Sequence, residues 1–106
     1  MKLYHCTNRK NLESIQAIGL DPSRAAGARK AVWAGASSKI AWAIVHVLSK
    51  DRNRGCSIDD LVVIELDVPR SQLTRHARSV WYSYATISPS QIVAIRDASV
   101  YGPSAE

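Results

Sequence analysis

The first residues that could bind a ligand lie in a short apolar run near the start of the chain, Leu3-Tyr4-His5-Cys6-Thr7. This run contains one histidine and ends in a threonine, immediately before a predicted helix. One interpretation is a strand with a single polar side chain turned to water. The other is the floor of a nucleotide pocket. The run by itself allows both, so the elements around it have to be considered.

The two cysteines, Cys6 and Cys56, indicate neither a disulfide framework nor a metal site. Neither belongs to a Cys-x-x-Cys pair, and no cluster of histidine and cysteine has zinc spacing. The start of the chain lacks the basic region and long apolar run of a signal peptide. The longest mainly apolar stretch, residues 40–48, is too short to span a bilayer. We therefore expect a cytoplasmic protein with reduced thiols and no membrane partner.

The charge balance favours an anionic partner. The formal net charge is +5 and the pI is about 9.6, which suits DNA, RNA or a phosphate-bearing ligand. The arginines are scattered along the chain, and no aromatic-rich motif of the ribonucleoprotein type accompanies them. The charge therefore predicts a basic surface that could contact nucleic acid, but it does not identify the ligand.

The chain of 106 residues is expected to form one domain, because this length supports a single hydrophobic core. We assign the domain to residues 1–101 and expect a loose tail over residues 102–106. Two short helices are predicted. The first covers residues 8–18 and ends at Gly19, and the second runs from Ser37 or Ser38 to about Lys50. The apolar stripe of the second helix is formed by Ile40, Ala41, Ile44, Val45 and Leu48.

Strands are predicted at residues 2–6, 31–34, 61–68 and 92–95, with a strand or hairpin within 79–87. In the 61–68 strand, we expect Glu65 and Asp67 to point to solvent or to a basic neighbour. The alternating members Val62, Ile64, Leu66 and Val68 are expected to face the core. The order strand, helix, strand, helix and then strands predicts an α+β domain, with two short helices flanking a split, twisted β-sheet.

Three motifs resemble the ADP-ribosyltransferase-like fold, in the branch with diphtheria-toxin-like and poly(ADP-ribose) polymerase-like domains and RNA 2′-phosphotransferases. L-Y-H-C-T, followed by N-L-E-S-I and G-L-D-P, is similar to the family's Y-H-G-T/S, N-L-x-x-I and G-L-x-P. A-V-W-A-G-A-S-S-K-I-A is similar to its second strand and the following helix. L-V-V-I-E-L-D-V, with S-V-W-Y-S and I-S-P-S-Q-I, is similar to its later strands. The resemblance covers about residues 3 to 97.

The resemblance implies that the chain binds NAD as a co-substrate in a cleft between two half-sheets. His5 would hydrogen-bond the adenosine-side ribose, since a neutral imidazole has one donor and one acceptor nitrogen. Backbone groups beside it, at Cys6, would hold the nicotinamide amide, and Thr7 would line the pocket. Trp33 would stack on the nicotinamide ring, although a place in the core is also open to it. Arg24, or Arg29 in the same loop, would hold the pyrophosphate, the alternative being a solvated loop arginine.

The sequence departs from the family pattern at the late glutamate, which stabilises the electron-poor sugar in the diphtheria-toxin-like branch. Residues 79–91 contain no Asp or Glu. The resemblance leaves Tyr82, Ser83 and Tyr84 as the candidate catalytic residues at this position.

Three functions remain open. The first is a minimal NAD-dependent ADP-ribosyltransferase, of a bacterial toxin or defence type, that modifies a nucleic-acid or protein acceptor. The second is an RNA 2′-phosphotransferase-like enzyme, although the N-terminal lobe of those enzymes is not found. The third is a catalytically inactive module that binds NAD, ADP-ribose or RNA.

The Arg75-His76 pair is interpreted as surface, and Arg75 and Arg78 are residues that could line the cleft mouth. His46 is interpreted as a core or boundary histidine.

Overall fold

A computed structural model describes residues 1–25, 30–51 and 55–101 of the chain. Two of the sequence-based predictions, the role of Arg29 and the loose tail over residues 102–106, lie outside the described residues. Among the described residues, no helix is both long and apolar enough to cross a membrane. Within these residues the fold is α+β, with a six-stranded antiparallel sheet and two α-helices.

The sheet consists of two halves that meet at a single residue pair. One half contains β1 (Lys2–Asn8), β3 (Leu61–Asp67) and β6 (Ile92–Asp97). The other contains β2 (Val32–Gly35), β5 (Val80–Ser83) and β4 (Thr74–Ala77). The strand order is β4-β5-β2-β1-β3-β6. β1 pairs with β3 along its whole length, whereas β1 and β2 share only the pair Tyr4 and Gly35. The sheet therefore opens between β1 and β2.

The first helix, α1 (Leu12–Ile18), follows a 3-10 turn over Arg9–Asn11, so the predicted helix is confirmed with a tighter first turn. The predicted stop at Gly19 is also confirmed, because this glycine has a φ of +84°. The next residue, Leu20, then pairs with Ile87 through two backbone hydrogen bonds of 2.8 and 3.0 Å. The end of α1 is thereby tied to the segment that precedes β6.

The second helix, α2 (Ile40–Asp51), follows a 3-10 turn over Ser37–Lys39. Its predicted apolar stripe is partly wrong. Ile40 and Ile44 are buried as expected, but Val45 is 60% exposed. Ala43 and Val47 pack against the core in its place. The helix is rotated about its axis relative to the prediction, and this rotation turns Val45 outward.

The core has two layers, because helices cover both faces of the sheet. The layer on the α1 side contains Leu3, Ile15, Val32 and Ile64, and the layer on the α2 side contains Cys6, Ile44 and Val63. Since β3 is buried on both faces, Val63 is in the core although the alternating pattern placed it on the opposite face from Val62.

Glu65 is also buried on β3. It lies 2.8 Å from the guanidinium of Arg96 and 3.6 Å from the ammonium of Lys2, which confirms the prediction of a basic neighbour.

Strand β4 was not predicted as a separate strand. All four of its residues are exposed at the sheet edge, so it has no apolar alternation to detect.

Candidate functional site

The imidazole of His5 spans the opening between the two halves of the sheet. Its Nδ1 lies 2.6 Å from the backbone carbonyl oxygen of Trp33 on β2. Because a carbonyl oxygen only accepts hydrogen bonds, Nδ1 carries the proton in this contact. A side-chain hydrogen bond thus joins the halves where the backbone ladder between β1 and β2 has ended.

The second nitrogen of His5 is a hydrogen-bond acceptor. Burial lowers the pKa of His5, while the hydrogen bond to the Trp33 carbonyl opposes this shift. The neutral imidazole with a proton on Nδ1 leaves Nε2 unprotonated. No described group bonds to Nε2, and the atom is not sealed from solvent. His5 therefore presents an acceptor nitrogen to the cleft around it.

This cleft consists of two cavities that share His5, Thr7 and Arg24. The smaller one, of about 190 Å³, lies on the α1 side of the sheet. The larger one, of about 850 Å³, lies between α2 and the half-sheet that contains β2. Because the two cavities have these lining residues in common, they form one continuous cleft. The larger cavity by itself falls in the size range of small-molecule binding sites.

Polar side chains line the smaller cavity. Asn11 Nδ2 donates to Thr7 Oγ1 at 3.0 Å. The guanidinium of Arg24 donates to the Ser14 hydroxyl, and this contact holds the cation at the wall. Asp21 accepts hydrogen bonds from the Ser23 hydroxyl and backbone amide, which lower the pKa of Asp21. This end of the cleft therefore offers a ligand hydroxyl and amide groups, the cation of Arg24 and the carboxylate of Asp21.

The indole of Trp33 lines the larger cavity. Its strand neighbours Val32 and Ala34 belong to the core on the α1 side, so alternation along β2 places Trp33 on the other face. The structure thus decides between the two interpretations of Trp33 in favour of the cleft. His76 on β4 meets the Trp33 ring edge-on, with ring centroids 4.8 Å apart. His76 is exposed, as expected of a surface residue, and it also borders the larger cavity.

The opposite wall of the larger cavity is formed by α2. Trp42, His46 and Lys50 line it at intervals of four residues, and Lys39 lies one turn before Trp42. His46 is exposed and stacks on Trp42, so its interpretation as a core or boundary histidine is wrong. Among the described residues that line this cavity there is no Asp or Glu. The wall is aromatic and basic.

The three candidate catalytic residues lie beside the cleft and do not line either cavity. Tyr82 is 5.0 Å from the Trp33 ring and 5.2 Å from the Tyr84 ring, so the tyrosines continue an aromatic row outward along the sheet. Ser83 points to the other face and is 1% exposed. Its hydroxyl donates to the Ala85 carbonyl at 2.7 Å and accepts from the Ala85 amide.

Cys6 is placed differently from the other predicted binding residues. Its thiol belongs to the core on the α2 side, although the residue also borders the larger cavity. Burial, with a smaller contribution from Cys56, raises the pKa of Cys6 to about 12. The thiol is therefore protonated at neutral pH and is a poor nucleophile. The expectation that backbone groups at Cys6 contact the ligand stays a prediction.

Sequence reasoning assigned no role in a site to Lys39, Trp42 or Lys50. The spacing of Trp42, His46 and Lys50 gives a signal, since residues four apart share one helix face. His76 gives no such signal, because only the pairing of β4 with β5 brings it next to Trp33. Arg75 stacks over Trp81, with 6.0 Å between the guanidinium carbon and the ring centroid, and neither Arg75 nor Arg78 lines the cleft.

No known family model matches the chain, and no curated protein matches it at a significant level of similarity.

Proposed function

We propose that the cleft binds NAD and that the chain is a small NAD-dependent ADP-ribosyltransferase with an ADP-ribosyltransferase-like fold. The observation that carries this proposal is the position of His5 at the opening of the sheet. Its Nδ1 donates to the Trp33 carbonyl, and Nε2 is left as an acceptor for a ribose hydroxyl. The single residue pair between β1 and β2 supports the expected split sheet.

The residues around His5 suit the parts of a dinucleotide. Thr7 offers a hydroxyl beside the imidazole, and Arg24 offers a cation for the pyrophosphate. Trp33 offers an aromatic ring for the nicotinamide. The larger cavity, of about 850 Å³, has room for a ligand of this size. In the proposed reaction, NAD supplies an ADP-ribosyl group whose bond to nicotinamide is already activated by the positive charge of the pyridinium ring.

The catalytic contribution of this chain would come from positioning the reacting groups. The described lining of the larger cavity offers no carboxylate to stabilise a positively charged sugar. Our candidates for this role are Tyr82, whose ring centroid lies 5.0 Å from that of Trp33, and Tyr84, whose ring lies next to that of Tyr82. Ser83 is a weaker candidate, since its hydroxyl is engaged with Ala85 on the buried face.

The test is a calorimetric titration with NAD, followed by incubation with radiolabelled NAD and a bacterial lysate. His5→Asn is the decisive variant, because an asparagine amide can still donate toward the Trp33 carbonyl but has no equivalent of Nε2. We expect it to bind NAD at least about 10-fold more weakly, because one hydrogen bond in a buried site is lost. Label transfer should fall with it.

The matched control is Val45→Ala, which truncates an exposed side chain that lines neither cavity. It should bind NAD like the unchanged protein. If His5→Asn binds NAD as well as this control, His5 does not contact the ligand and the proposal fails. If the unchanged protein does not bind NAD at all, the proposal fails at its first step.

A binding module without turnover is the second candidate. The absence of a carboxylate among the described lining residues of the larger cavity favours it. The two candidates separate in the same experiment. A module would bind NAD in a His5-dependent way but would neither release nicotinamide nor label any acceptor.

A further inference from the structure

We propose that the exposed side of α2 binds single-stranded nucleic acid and that this strand is the acceptor of the transferase, a step that rests on the proposed function. The surface consists of Trp42, His46 and Lys50 on α2 and of Lys39 in the 3-10 turn just before it, and we call it the α2 stripe. All four side chains line the larger cavity. The α2 stripe therefore lines the same cavity as His5 and Trp33. An acceptor bound to the stripe would lie close to the proposed NAD site.

The central feature of the α2 stripe is Trp42, whose side chain is large, apolar and 59% exposed. The imidazole of His46, one turn later, stacks on the indole with ring centroids 5.0 Å apart and 12° between the planes. This stack covers one face of the indole and fixes its orientation. The high exposure of Trp42 leaves area for another flat group. Nucleobases stack on such rings without regard to sequence.

The charges of the α2 stripe point to a ligand that carries phosphates. Lys39 precedes the pair formed by Trp42 and His46, and Lys50 follows it one turn later. The described residues that line the larger cavity include no Asp or Glu to neutralise them. Cations that flank an exposed aromatic ring are the combination found in sites for single strands.

A single strand fits this arrangement better than a duplex or a peptide. In a duplex the base faces are stacked on one another, so no base is free to lie on Trp42. An acidic peptide could pair with Lys39 and Lys50 but would leave the flat surface of Trp42 without a matching group. The ligand that uses both the ring and the cations has bases and phosphates in alternation.

The experiment measures binding of short fluorescein-labelled oligothymidylate and oligouridylate by fluorescence anisotropy, with a DNA duplex of the same length beside them. We expect both single strands to bind more tightly than the duplex. The strand that binds more tightly shows whether the site prefers deoxyribose or ribose. Trp42→Ala should weaken single-strand binding about 10-fold, since one base loses its stacking partner. Lys50→Gln should lower the slope of log affinity against log salt by about 0.7, the value for one phosphate contact in a single strand.

Two control variants match these substitutions. Val45→Ala truncates another exposed apolar residue of α2 that does not line the cavity, and Lys10→Gln removes a lysine that is exposed away from it. Both should bind the strands like the unchanged protein. The proposal is overturned if Trp42→Ala binds like Val45→Ala, if the duplex binds as well as the single strands, or if neither strand binds.

A parallel titration with NAD separates this proposal from the proposed function. This titration uses the unchanged protein, so that NAD binding and strand binding are measured on the same sample. If NAD binds and labels a protein in the lysate while no strand binds, the transferase stands and the nucleic-acid acceptor is refuted. If the strands bind through Trp42 while NAD does not bind, the proposed function fails, and with it the assignment of the strand as an acceptor.

Discussion

His5 on β1 and Trp33 on β2 are joined by a hydrogen bond of 2.6 Å from the imidazole Nδ1 to the backbone carbonyl oxygen. The two strands share only one backbone pair, at Tyr4 and Gly35, so this side-chain contact continues the connection between the halves of the sheet. The same residue therefore has two roles, since Nδ1 supports the fold while Nε2 faces the cleft.

The two roles of His5 predict different stabilities for two substitutions. His5→Ala removes the hydrogen bond to the Trp33 carbonyl and part of the packing, and we expect a loss of about 1–3 kcal/mol in the free energy of unfolding. His5→Asn keeps a donor at the position of Nδ1 and should lose roughly 1 kcal/mol or less. Urea denaturation followed by far-UV circular dichroism measures both. Equal losses in the two variants would show that the bond to Trp33 contributes nothing.

The depressed pKa of His5 predicts a pH dependence of stability. Above pH 6.5, the ordinary pKa of histidine, the imidazole is neutral in the folded and the unfolded chain. As the pH falls below this value, the unfolded chain takes up the proton first and gains stability. The contribution of His5 is therefore lost as the pH falls from 6.5 through the lower pKa of the folded state.

The measurement is urea denaturation of the unchanged protein and of His5→Asn at several pH values on both sides of pH 6.5. The difference in unfolding free energy between them should be constant at higher pH and should shrink at lower pH. A difference that stays constant over the whole range would mean that the folded-state pKa of His5 is not lowered.

Gly19 predicts a large stability effect of a small substitution. Its φ is +84°, and a Cβ atom there would lie 2.1 Å from the backbone carbonyl oxygen of Ile87. Gly19→Ala should cost roughly 3 kcal/mol or more, because a backbone conformation unfavourable to alanine is combined with a clash against backbone. Thermal unfolding would measure this loss.

The matched control for this substitution is Gly55→Ala. Gly55 also has a positive φ, of +74°, but no described atom lies within 4 Å of a Cβ built there. It should therefore lose only about 1 kcal/mol, the cost of the left-handed conformation. Similar melting temperatures for the two variants would rule out the close contact between Gly19 and Ile87.

Glu65 predicts a loss of stability in acid. The guanidinium of Arg96, and secondarily the ammonium of Lys2, lower the pKa of the Glu65 carboxyl below its usual value of 4.5. The stabilisation is therefore complete above pH 4.5 and is lost as the pH falls through the folded-state pKa. Glu65→Gln lacks this dependence, so its stability relative to the unchanged protein should rise as the pH falls below 4.5. The measurement is urea denaturation of both proteins at several pH values. A difference in unfolding free energy that does not change with pH would refute the role of the ion pair between Glu65 and Arg96.

Local signals in the sequence determined the elements that position His5. β1 was predicted from its strand-forming residues, α1 from apolar spacing and from Gly19, and β3 from its run of branched side chains. Each of these signals depends on residues within one element and its ends. Such signals are independent of what the element later packs against, and this is why these three elements were predicted close to their observed limits.

The contacts between elements were decided only by the tertiary structure. Val63 is buried because residues of α2 pack on the second face of the sheet, and Glu65 is buried beside Arg96 and Lys2. Alternation along one strand contains no information about either cover. His76 lies against Trp33 because β4 pairs with β5, which in turn pairs with β2. The cleft itself arises because β1 and β2 diverge after one residue pair. The residues that line the cleft are distant in sequence, and they come together only because the whole chain packs into one fold.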